Sequence, residues 1–212
     1  MKLKLSRSSL VTLAAAITAV FGLQLIGCAA APTIRFHSLL NIESSARALP
    51  VVPGFAVNLA AVSVPPQVDQ PQWLVRNADG SLSLLEQERW VAPLRGELQG
   101  ALLDRWASGW GGRPVVAGSK ESSWRVTVDV TRWEAVPGRE VRLESRWTAT
   151  SGTSTLTCRS AISEAARSDD GSLLLALAAS HRRAVSRLAD EVASRITEVQ
   201  KSEAARCADA AA

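Results

Sequence analysis

Three cysteines and two histidines are the residues of this chain whose chemistry depends most on spacing. Cys28 closes the run Leu25-Ile26-Gly27-Cys28, which follows a basic opening (Lys2, Lys4, Arg7) and an apolar stretch from Leu10 to Ile26. A basic start, an apolar middle and a small residue before the cut are the three parts of a secretory signal. Gly27 suits a peptidase that cuts immediately before Cys28, and the Cys28 thiol is a nucleophile that a diacylglyceryl donor can alkylate. The stretch is about 17 residues long, near the lower limit for a spanning helix. A retained anchor is the alternative, and the Leu-x-Gly-Cys ending argues against it. One acyl chain holds a protein only marginally, whereas two or three hold it stably. No Asp follows Cys28; Ala29 and Ala30 do. In Gram-negative lipoproteins such an Asp favours inner-membrane retention, so the expected location is the outer membrane, on its periplasmic face.

Cys158 and Cys207 then form an even pair in an oxidising compartment. They are expected to bond, closing a loop of about 50 residues. The alternative is two separate thiols, with Cys207 in a frayed tail. His37 sits in a predicted strand and His181 on the apolar stripe of a predicted helix, and neither has neighbours at metal-ligand spacing. The serines lie in no nucleophile elbow. Gly109, Gly111 and Gly112 follow a predicted helix rather than open one, so they form no phosphate loop. Glu86 and Glu88 are expected on a solvated face before a helix. An enzyme is therefore not expected, and neither is a metal or cofactor.

The chain has 24 Lys and Arg against 20 Asp and Glu, a formal charge of +4. Lys2, Lys4 and Arg7 leave with the leader, which holds no acidic residue. The mature 185 residues carry 21 basic and 20 acidic groups, a net charge of +1. That excludes the electrostatic footprint of a nucleic-acid binder.

The elements that must hold these residues follow from periodicity. Thr33–Leu40 alternates as a strand, and residues 43–54 read as a loop. Phe55–Val64 is a second strand, with Phe55, Val57, Leu59 and Ala61 on one face, stopped by Pro65-Pro66. Leu74–Arg76 and Ser81–Leu85 flank the turn signal Asn77-Ala78-Asp79-Gly80, a predicted hairpin. Glu86–Trp90 leads into a helix starting near Pro93, with Leu94, Leu98, Leu102 and Trp106 on its stripe. Pro114–Ala117 is a short strand. Trp124–Val130 alternates, with Trp124, Val126, Val128 and Val130 inward. Val141, Leu143, Ser145 and Trp147 make the next strand, and Thr153–Ile162 completes a meander. A long helix begins near Ser172, with Leu174, Leu177, His181, Val185, Leu188, Val192 and Ile196 on its apolar face. The expectation is one α+β domain: a mixed or antiparallel sheet with two helices on one face. The divisions are leader 1–27, tether 28–32, folded domain 33–200 and tail 201–212. Of seven Trp, Trp106, Trp124 and Trp147 are predicted inside, while Trp73, Trp90, Trp110 and Trp133 are less clearly internal.

Several segments together resemble the PqiC-like auxiliary lipoproteins of MCE-type ABC lipid transport systems. They are Cys28; Phe36-His37-Ser38-Leu39; the strand ending Val64-Pro65-Pro66; Val68-Asp69-Gln70-Pro71-Gln72-Trp73-Leu74-Val75-Arg76; Glu88–Leu94; and Trp124–Trp133. Gln70 stands where that family commonly has Arg. The resemblance implies a periplasmic domain anchored in the outer membrane. It implies an MCE-domain partner reaching from the inner membrane and assembly into a homo-oligomeric ring. Asp69, Gln70, Gln72, Trp73, Arg76 and Trp90 are the expected partner-binding residues, on a segment emerging just after a Pro-Pro break. A structural or assembly-factor lipoprotein of another outer-membrane complex is the alternative.

Overall fold

The computed structural model describes residues 32–40, 54–115, 122–168, 171–201 and 207. Cys28, the predicted loop up to residue 53, and the tail apart from Cys207 lie outside the described residues. The elements are β1 (Arg35–His37), β2 (Ala56–Ser63), a 3-10 turn (Pro66–Val68), β3 (Gln72–Arg76), β4 (Leu82–Trp90), α1 (Leu94–Trp110), β5 (Arg113–Pro114), β6 (Trp124–Val136), β7 (Glu140–Ser151), β8 (Ser154–Ala165) and α2 (Leu173–Lys201). The fold is α+β, as the periodicities predict. Its strands divide into a five-stranded sheet, β5-β2-β6-β7-β8, and a three-stranded sheet, β1-β4-β3.

Both helices pack on the five-stranded sheet and on each other. Leu94, Leu98, Leu102 and Trp106, spaced four apart, are all fully buried on α1. A left-handed Gly111 ends that helix (φ 63°), a conformation that glycine adopts without a Cβ clash. Trp106 ties the helices together: its Nε1 donates to the Ala189 carbonyl at 2.9 Å. The α2 stripe from Leu177 to Ile196 is buried as the three-and-four spacing requires.

Three irregularities change what alternation predicts. In β2 the register against β6 slips between Leu59 and Ala61. Val62 is consequently buried and Ala61 exposed, correcting the face assigned to Ala61. In β6 a slip between Val130 and Arg132 switches the buried set from Val126, Val128 and Val130 to Trp133 and Ala135. A bulge adds a residue to one strand and inverts the side-chain parity beyond it. In β4 the partners jump from Leu85, opposite Trp73, to Arg89, opposite Gln72. Glu86, Gln87 and Glu88 thus have no partner on β3, although Glu88 pairs with Arg35 of β1. The strand nevertheless runs on to Trp90, so Glu86–Trp90 leads into α1 as expected, but as strand.

Candidate functional site

The Asp69–Arg76 segment begins with the 3-10 turn after Pro65 and becomes β3. It is held from below by a knot of rings. Trp73 and Trp90 lie 4.9 Å apart between centroids, and Trp90 and Trp133 6.2 Å. His181 of α2 stacks on Trp133 at 4.9 Å and 7°, and His37 of β1 lies 4.3 Å from Trp73. The knot therefore joins both sheets to the last helix. Trp73, Trp90, Trp133 and His181 are all buried. Offset and edge-on ring pairs of this kind add roughly 0.5–1.5 kcal/mol each beyond the area buried.

Beside the knot lies a buried charge. Glu88 is 2% exposed. Its carboxylate accepts from the Arg35 guanidinium and sits 2.6 Å from His37 Nε2. β1 runs parallel to β4 with Arg35 opposite Glu88 and His37 opposite Trp90, which brings these groups together. Burial raises the Glu88 carboxyl, but the hydrogen bonds and charges of Arg35 and His37 outweigh it and hold the group below its ordinary value. The expectation of a solvated Glu88 is thereby corrected: the β4 bulge turns it inward. A buried charge is tolerated when paired and hydrogen-bonded. His181 has no such support. Burial, with the nearby His37 and Arg182, pushes it down to about 3, and its Nδ1 is buried without a hydrogen-bond partner.

The six expected partner-binding residues are close in space but not alike. Asp69 pairs with Arg95 in the first turn of α1 and keeps its other oxygen, Oδ1, buried and unpartnered. Gln70 donates to the Gln67 carbonyl at 3.0 Å, and Gln72 reaches Glu86. Arg76 binds Glu134 of β6 and donates to the Gly80 carbonyl at 2.7 Å. These four are partly exposed. Trp73 (2%) and Trp90 (3%) are not: their rings are covered by each other, Trp133 and His181. They form the platform beneath the segment rather than its surface.

The outward side of the small sheet escaped prediction. Phe36 pairs with Arg89, Leu74 with Leu84, and Arg76 with Leu82, all on the side away from the knot. Phe36 is 63% exposed and Leu82 53%. The Ser81–Leu85 alternation carried that signal, since Leu82 and Leu84 share a face opposite Leu85.

Elsewhere, a cleft of about 560 Å³ lies between α2 and β8, bordered by Trp110, Trp147, Arg159, Glu191 and Arg195. At its border the Cys158 and Cys207 sulfurs are within bonding distance, their Cα atoms 5.4 Å apart. No expected partner-binding residue lines it. Among the described residues no three His, Cys, Asp or Glu side chains gather as a metal site, and no helix is long and apolar enough to cross a membrane.

The family described as the ABC-type transport auxiliary lipoprotein component matches residues 37–193, and this chain belongs to it. The match spans the knot, the Asp69–Arg76 segment and most of α2. Two crystal structures share the fold. One, of an uncharacterized protein, is 14% identical with a TM-score of 0.61, covering 78% of this chain and 99% of the other. The second, a protein from Xanthomonas campestris, is 20% identical with a TM-score of 0.51, covering 81% and 97%. No curated protein matches the chain.

Proposed function

We propose that this lipoprotein is an accessory subunit of an MCE-type ABC system that moves lipid between the two membranes. It is acylated at Cys28, held on the periplasmic face of the outer membrane, and stapled by a Cys158–Cys207 disulfide. It performs no chemistry. It docks an MCE-domain protein arriving from the inner membrane, and copies of it assemble as a ring around the exit. The observation that carries this reading is the auxiliary-lipoprotein match over residues 37–193, in a chain whose Leu25–Cys28 ending offers an acylation site nine residues upstream. The geometry supports a docking role for Asp69, Gln70, Gln72 and Arg76, since a polar, partly exposed edge lies on a buried aromatic platform. Polar rims over packed centres are usual where proteins meet.

Affinity capture of the tagged protein from solubilised envelopes tests this. Recovery of an MCE-domain protein and its permease is expected, and recovery should drop at least tenfold with Asp69→Ala and Arg76→Ala together. Capture of neither component would refute the reading. Unchanged recovery from the double variant would make the segment a structural turn.

A further inference from the structure

Among the described residues eight large apolar side chains are well exposed, and five of them lie on or beside the small sheet. Phe36 (63%), Leu82 (53%) and Leu84 (40%) lie on the outward side of the small sheet. Ile34 (43%) and Val91 (64%) flank β1 and β4 in the same alternation. Half-buried Leu74 lies between Leu84 and the sheet edge. Single exposed apolar residues need no explanation, but a contiguous patch of them does. The opposite side of this sheet is already filled by Trp73, Trp90 and His37, so the patch is not an unfinished core.

We infer that this outward side rests on the lipid bilayer, with Phe36, Leu82 and Leu84 entering the head-group and upper acyl region. The inference relies on the reading that Cys28 carries lipid. Only six residues lie between Cys28 and Arg35, and the seven Cα steps reach at most about 25 Å even when fully extended. The first strand after the anchor is β1 itself, so the tether delivers this sheet, and not the five-stranded one, to the membrane surface. Arg35 is exposed over 60% of its side chain at the margin of the patch, and Arg89 lies on the patch beside Phe36. Both are already ion-paired, Arg35 with Glu88 and Arg89 with Glu86, so it is the apolar side chains and not free charge that would make the contact. Shallow apolar attachment is weak enough to need the anchor as a second element.

Two measurements test it. In the first, the mature chain carrying Cys28→Ser is titrated with vesicles of phosphatidylethanolamine and phosphatidylglycerol. Weak partitioning is expected, falling at least tenfold when Phe36→Ser, Leu82→Ser and Leu84→Ser are added, with the circular dichroism unchanged. Equal partitioning of the two chains, or none by either, overturns the inference. In the second, the acylated protein is reconstituted with a fluorophore on Leu84→Cys or on Thr153→Cys. The labelling omits reductant, and the unsubstituted chain serves as the blank. Thr153 is exposed at the β7–β8 turn, ten residues along from Leu143, which pairs with Trp133. The eight steps of β7 from Leu143 to Ser151 alone span about 26 Å. Lipids brominated near the head group should quench the probe at position 84 several-fold more than at 153. Equal quenching overturns the inference, as does a dimer that the triple variant dissociates, since the patch would then be covered by a second copy. The intact mass of the membrane-extracted protein reports acylation independently. A missing acyl mass defeats the anchor reading, while the vesicle titration still decides the patch.

Discussion

Replacing His181 with Leu should flatten the acid side of the stability profile, and the size of the effect follows from its surroundings. The ring is 1% exposed, stacked on Trp133, and pushed from 6.5 to about 3 by burial, His37 and Arg182. In the unfolded chain it titrates at its ordinary value. Between pH 3 and 6.5 the unfolded state therefore binds a proton that the folded state does not, and stability falls as pH falls. The slope approaches 1.4 kcal/mol per pH unit. Integrated from pH 8 to pH 5, the loss is about 2 kcal/mol, or roughly 4–8 °C in Tm for a domain of this size. The low-shifted carboxyls of Glu88, Asp79, Glu140 and Glu198 act in the same direction. Theirs is lost only below the ordinary carboxylate range, near pH 4.3, and the window from 5 to 8 avoids it. Leu is close to His in volume and leaves no buried nitrogen unpartnered. Urea titrations of the Cys28→Ser chain and of its His181→Leu derivative, at pH 5, 6, 7 and 8, give the measurement. The difference between the two cancels every group they share. A profile of the Cys28→Ser chain parallel to that of its His181→Leu derivative would show that His181 is solvated or paired in a way this packing does not allow.

Glu88→Ala strips Arg35 and His37 of their buried partner and should lower stability by about 2–3 kcal/mol. The β1 amides should lose exchange protection, and unchanged protection at His37 would show that β1 is held by other means. Breaking the Cys158–Cys207 link by Ser substitution at both positions should remove about 4 kcal/mol, given a separation of 49 residues and the chain-entropy account; free thiols at both positions in non-reduced peptide maps would void this. Trp73→Ala should cost about 3–5 kcal/mol as a core truncation, whereas Gln72→Ala stays within about 0.5 kcal/mol as a surface change. Comparable losses in urea midpoint for the two would contradict the assignment of platform and surface.

Periodicity in the sequence captures what is locally encoded. The i, i+4 spacing of Leu94, Leu98, Leu102 and Trp106 defines α1, the stripe from Leu177 to Ile196 defines α2, and the alternation from Trp124 to Val130 defines the first half of β6. It fails where a bulge changes parity, because the pattern beyond the bulge looks like a different element. Trp133 reads as ambiguous for that reason, and Ala61 falls on the wrong face. Glu86–Trp90 is the strongest case. Three charged residues in five look like a solvated lead-in to a helix, yet the strand pairs with β3 again at Arg89 and buries Glu88 beside β1. The neutralising groups, Arg35 and His37, lie more than 50 residues earlier, beyond any local window. Nor does composition show whether an indole faces outward. Trp73 and Trp90 occur in a polar stretch, but both meet His181 of the last helix, and Trp90 also meets Trp133.

The small sheet has two faces with different demands. Its inner face is fixed by the ring knot and by Glu88, so the hairpin cannot shift without breaking contacts to β6 and α2. That rigidity would favour recognition of its outer face and leading edge, because ordering a loose hairpin on contact would consume binding energy. On the two proposals together, Phe36, Leu82 and Leu84 meet the bilayer while Asp69, Gln70, Gln72 and Arg76 meet the MCE protein. Both sets belong to β1, β3, β4 and the turn before β3, one hydrogen-bonded sheet and the turn that leads into it. The partner would then dock at the membrane-proximal end of the lipoprotein. On the proposed outer-membrane anchoring, a tether of so few residues would not lift the domain toward the inner membrane, and the span across the periplasm would fall to the partner. Lengthening the tether should consequently leave partner capture intact and diminish only the bilayer contact.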